Sequence, residues 1–215
     1  MKLLAFTLSL LAFSGAAATF GREYGVAYFA RSSDQSAFNT LAYDVDIPQI
    51  PLSSRGVREL FTTCGSVQQG LIYALQPSVT RAAVDAACIN MARKVLDRNP
   101  TYSAAHTIMM LSSSQPADIT RSLILSQMTA PRESWAAKLR LRKGMPFHGT
   151  GQSAVDNALE SDIRFLVQSF GGRVWLAKLY QSDKNFRPAI VGVIDNRPDD
   201  EKAAFLQEVR RLGQD

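Results

Sequence analysis

Two cysteines and two histidines stand in this 215-residue chain, so its candidate chemistry is narrow. Cys64 and Cys88 lie at equal distances from the Gln76–Pro77 step. Before that step Leu60, Cys64, Val67, Leu71 and Leu75 recur at helical spacing; after it Val84, Cys88, Met91 and Val95 do the same. In an antiparallel helical hairpin turning at that step, the two sulfurs reach the same height on facing apolar sides. The spacing therefore predicts a Cys64–Cys88 disulfide, which in the chain-entropy model contributes about 3.5 kcal/mol. Two cysteines without a nearby histidine supply too few ligands for a metal. His106 lies inside a helical segment beside Ile108, Met109 and Met110, where a packed structural role is expected. His148 stands in the glycine-rich "MPFHGTGQS", a loop that would expose it to a ligand. No HExxH, GxSxG or GxxxxGK[ST] pattern is present, and no cofactor is expected.

Two further groups of residues carry binding or catalytic potential. The run "KLRLRKG" places Lys138, Arg140, Arg142 and Lys143 at the end of a helical segment. There they suit the helix dipole, and they would also meet an anionic polysaccharide or phospholipid head groups. The stretch "ESDIRFLVQSFGGRVWLAK" resembles the active-site segment of the lytic transglycosylases. Glu160, Ser161, Ser169, Gly172 and Leu176 match it, whereas Arg173, Trp175 and Lys178 depart from it. That resemblance implies a peptidoglycan-cleaving enzyme with Glu160 as general acid/base. A non-catalytic protein is the preferred reading, with Glu160 as a solvated residue opposite Leu159, Ile163 and Leu166.

The elements that must position these groups read as helices. Pro116 and Pro131 are suited to opening helices, the second carrying Trp135 and Leu139 on one face. Ser78 is placed to cap the helix after Pro77. Ser153 and Asp156 start a helix whose Val155, Leu159, Ile163, Leu166 and Phe170 keep its spacing until Gly171–Gly172. Trp175, Leu176, Leu179 and Tyr180 form a further apolar stripe, read as a packed face. The last helix opens at Pro198 with Asp199, Asp200 and Glu201 and closes with Arg210 and Arg211. Period-two alternation is missing over any length, so the expected fold is all-α: antiparallel helical hairpins stacked as a short solenoid or bundle. The segment "VLDRNPTYSAAHTIMML" resembles the junction between tetratricopeptide units, through Asn99, Pro100, Tyr102 and Ala105. That resemblance implies a hairpin stack whose grooves bind protein segments.

Residues 1–18 are ordered like a signal peptide: Lys2, an apolar run from Leu3 to Phe13, then Ala16 and Ala18 before a cut at Thr19. Residues 19–54 read as an arm with a short helix near Ser36–Tyr43 and an extended piece, "DVDIPQIPL", where Pro48 and Pro51 forbid a helix. Residues 55–215 read as one helical domain, with no other run that would span a bilayer. An exported chain, periplasmic or secreted, fits both the leader and the disulfide. The net charge of +5 draws anionic partners, and export argues against nucleic acid. The expected function is that of a scaffold or adaptor in the cell envelope, binding an envelope protein or an anionic polysaccharide, with peripheral membrane contact compatible with its charge. The alternatives are the lytic enzyme centred on Glu160 and a small-molecule-binding helical bundle.

Overall fold

Short-range signals of capping and apolar spacing translate directly into helices. The computed structural model describes residues 2–43 and 46–213, with side chains described from Phe13 onward except Ala18. Among these residues every regular element is helical, and the chain divides into two compact units, residues 1–100 and 101–215. The fold class is all-α.

The first unit holds α1 (Lys2–Arg31), α2 (Asp34–Tyr43), α3 (Ser54–Gln69), α4 (Leu71–Ala74) and α5 (Ser78–Leu96). The expected arm is free of helix only over residues 46–53 among those described, because residues 19–31 continue α1 and residues 34–43 form α2. Val26 and Phe29 explain that continuation: both are buried, and their spacing of three gives this end of α1 a face for the core. The apolar run of the expected leader lies, except for Phe13, outside the described side chains.

Ser53 starts α3, its hydroxyl accepting from the Gly56 amide at 2.9 Å. Glu23 of α1 holds that corner by accepting from the amides of Leu52 and Ser53, both at 2.8 Å, and from the Ser53 hydroxyl at 2.7 Å. These bonds, the Ser53 hydroxyl foremost, hold the Glu23 carboxyl below the usual glutamate range. The close approach requires Gly56: a Cβ there would stand 2.7 Å from Glu23 Oε2 and 2.8 Å from Pro51 Cβ.

The Cys64–Cys88 disulfide joins α3 to α5, with Cα atoms 6.1 Å apart. Both cysteines are fully buried, as the spacing argument requires. The helix before Pro77 nevertheless stops early. Gly70 interrupts it, α4 follows as a single turn, and Leu71 and Leu75 are 73% and 74% exposed instead of sharing the buried face of Leu60 and Val67. Pro77, rather than Ser78, occupies the N-cap of α5, and no side chain caps that end.

The second unit holds α6 (Ser103–Ser112), α7 (Pro116–Thr129), α8 (Ser134–Gly144), α9 (Ser153–Val167), α10 (Phe170–Ser182), α11 (Arg187–Ile194) and α12 (Asp199–Leu212). α6 and α7 pack against each other across a short connection, and α9 packs against α7, α8, α10 and α11. Val155, Leu159, Ile163 and Leu166 on α9 are all fully buried, which makes this helix the centre of the core. Phe170, expected to continue that stripe, is 64% exposed because α9 ends at Val167. Gly171–Gly172 lie in the first turn of α10, where the Ser169 hydroxyl accepts from the Gly172 amide at 3.1 Å. Ala105, one of the junction residues, is fully buried in α6, and Tyr102 stands at that helix's N-cap. Leu176 is fully buried, while Trp175, Leu179 and Tyr180 pack partly buried against the same core.

Candidate functional site

The basic run does not face solvent as a block. Arg140 is fully buried on α8 and reaches Asp162 on α9 through two bonds of 2.7 Å, from Nε to Oδ2 and from Nη2 to Oδ1. Its Nη1 donates to the Ser126 hydroxyl at 3.0 Å, which also meets the Thr107 hydroxyl at 2.7 Å. The Ser103 hydroxyl donates to the Ser126 carbonyl at 3.1 Å. Burial pushes the Asp162 carboxyl upward, and the two arginine bonds oppose that shift. Arg140 is thus a structural residue that links α7, α8 and α9, not part of a binding patch. The helical periodicity explains it: Arg140 shares the inward face with Ala136 and Ala137, both fully buried.

Lys138 and Arg142 take the opposite course. The Lys138 ammonium and the Arg142 guanidinium stand 5.9 Å and 5.5 Å from the centroid of the Trp175 ring on α10. Each is within cation–π range. Lys143 is half-buried beyond them.

The glycine-rich loop brings two other candidates together. Gly149 and Gly151 have φ of 73° and 88°, a region other residues seldom adopt. The Gly149 amide donates to Asp156 Oδ1 at 2.8 Å, which ties the loop to the start of α9. His148 Nε2 consequently lies 3.9 Å from Glu160 Oε1, and Arg164 Nη1 reaches Glu160 Oε2 at 3.4 Å. At 3.9 Å the imidazole approaches the carboxylate without a hydrogen bond. Glu160 therefore has company that its linear surroundings do not announce. His106 is buried inside α6.

A concavity of the first unit offers a further candidate site. It is an open groove of about 760 Å³ along α5, bounded by the extended residues 47–50, the end of α2 and Arg22 of α1. Its floor is made of small side chains, Ala83, Ala86 and Ala87, whose spacing sets them on one face of α5. Met91 and Ile50 add apolar surface. Arg22, Lys94 and Arg98 supply positive charge, Gln49 and Asn90 supply amides, and among the described residues no carboxylate lines the groove. Arg22 Nε donates to Gln49 Oε1 at 3.1 Å, which fixes one side of the rim. From Ala83 to Lys94 the helix rises roughly 16 Å, the span of about five extended residues, and Arg98 stands just past its end.

Sequence reasoning passed over this groove because its walls come from four separated segments. Its one local signal is the alanine-rich "RAAVDAAC", too small-sided to fill the space beside it.

A second concavity, of about 120 Å³, lies in the second unit between α10, α11 and α12. Tyr180, Ile194, Phe205 and Val209 are among the residues that line it.

No protein-family model matches the chain, and no curated protein or solved structure matches it either.

Proposed function

We propose that this protein is an exported helical scaffold or adaptor that holds an extended acidic segment of a cell-envelope partner. The observation that carries this reading is the groove along α5. It is long, shallow-floored and cationic, with no carboxylate among its described lining residues. An extended chain fits a trough that follows about three turns of helix better than a compact small molecule does. The small floor lets the segment's backbone approach α5, and Asn90 and Gln49 offer amide partners to its peptide groups. Arg22, Lys94 and Arg98 favour Asp or Glu side chains and speed encounter. The disulfide, the leader-like residues 1–18 and the basic net charge support an envelope setting, in which an acidic surface polysaccharide is the competing occupant. The tetratricopeptide-like junction supports a segment-binding hairpin stack.

The test is a titration of the intact, oxidised protein with a labelled peptide alternating glutamate and valine, beside polyglucuronate. Binding of the peptide should weaken at least about tenfold in Lys94→Glu/Arg98→Glu, through the loss of two cations and their reversal. It should also weaken as salt rises. Equal binding by wild type and the charge-reversed variant would remove the groove from the account, and tighter binding of polyglucuronate would replace the peptide.

A peptidoglycan-cleaving enzyme is the second reading, favoured by the approach of His148 to Glu160. Clearing of purified peptidoglycan by wild type and not by Glu160→Gln would establish it over the scaffold.

A further inference from the structure

We infer that the tip of the disulfide-tied hairpin, Leu71, Leu75 and Val79, is a membrane-docking surface that inserts into the head-group region of a lipid bilayer. Leu71 is 73%, Leu75 74% and Val79 76% exposed, and all three lie within nine residues of chain. Leu71 and Leu75 are one turn apart, the Leu75 amide donating to the Leu71 carbonyl at 3.1 Å. Pro77, beside them, is exposed as well.

Three features favour lipid over another protein. From Leu60 to Thr80 the chain carries no charged side chain, although a fifth of the whole sequence is charged. Glu59 and Arg81 bound this stretch, so the tip can leave water without stripping an ion of its hydration. The tip is also held in place. Gln68 Nε2 and the Tyr73 hydroxyl both donate to the Asp85 carboxylate, at 2.8 Å and 3.0 Å, just above the disulfide. Insertion therefore orders little chain that was not already ordered. Finally, three side chains fall far short of the roughly 800 Å² per partner that a stable protein interface needs. A bilayer asks for no such area, and a chain of net charge +5 is drawn to anionic head groups.

The experiment is hydrogen–deuterium exchange on the intact, oxidised chain. It compares no lipid, vesicles of equal parts phosphatidylethanolamine and phosphatidylglycerol, and phosphatidylcholine vesicles. A local readout is needed because the apolar N-terminal stretch can adsorb by itself. Exchange over residues 70–79 should slow with the anionic vesicles. In Leu71→Ser/Leu75→Ser that slowing should be lost, and vesicle binding through the tip should fall at least about tenfold. Unchanged exchange over 70–79 in the wild type, or equal slowing in the double variant, overturns the inference. So does slowing without lipid that grows with protein concentration, which would assign the tip to a second copy of the chain. The wild-type result stands even where the double variant fails to fold.

Discussion

At the scale of single residues, the second unit depends on how Arg140 and Asp162 are satisfied. Both side chains are fully buried, and they meet through two charge-assisted hydrogen bonds. Removing one partner strands the other charge in the core. Arg140→Met should therefore cost about 3–5 kcal/mol in denaturant unfolding. The double replacement Arg140→Met/Asp162→Leu should recover much of that loss, since no charge is left behind. Equal destabilisation by the single and double variants would show that packing, not pairing, is what matters there. Glu23 provides the corresponding test in the first unit. Its carboxyl is lowered in the folded state, so its contribution is fully present above the unfolded value of about 4.3 and is lost as pH falls through the lower native value. Glu23→Gln should flatten the acid side of the stability profile, read as unfolding midpoints from about pH 6 to about pH 2. Gly56→Ala should destabilise the same corner by roughly 1–3 kcal/mol, because its Cβ would crowd Glu23 and Pro51.

At the scale of elements, the disulfide is the clearest constraint. It closes a loop between residues 64 and 88, and Cys64→Ala/Cys88→Ala should lower stability by about 3 kcal/mol, measured against the oxidised wild type. A variant as stable as wild type would mean that the buried α3–α5 contacts suffice. This bridge was legible in the sequence because symmetric spacing about Gln76–Pro77 and two apolar faces are local facts. The helices of the second unit were legible for the same reason, with α9 carrying four fully buried residues at the expected spacing. The misses have physical causes too. Gly70 broke a stripe that periodicity extended to Leu75, and Val26 and Phe29 drew residues 19–31 into a helix that turn-forming composition did not suggest. Arg140 was legible as a cation but not as a buried one, because its partner Asp162 stands 22 residues away.

At the scale of the molecule, the sequence conveys charge and class more readily than site. The groove is assembled from Arg22, residues 47–50, the end of α2 and α5, segments that only folding brings together within the first unit. The second unit gathers its remaining candidate groups elsewhere, as Lys138 and Arg142 over Trp175 and as the half-buried His148 beside Glu160. Among the described residues no helix is long and apolar enough to cross a membrane. What separates the scaffold reading from its rivals is therefore where a partner lands. The most direct measurement is residue-resolved nuclear magnetic resonance of the intact, oxidised, isotope-labelled protein during titration with the glutamate–valine peptide. The account predicts shifts concentrated at Ile47, Gln49, Ala86, Asn90 and Lys94. Shifts centred on Trp175 and Arg142, or on His148 and Glu160, or no saturable shifts at all, would contradict it.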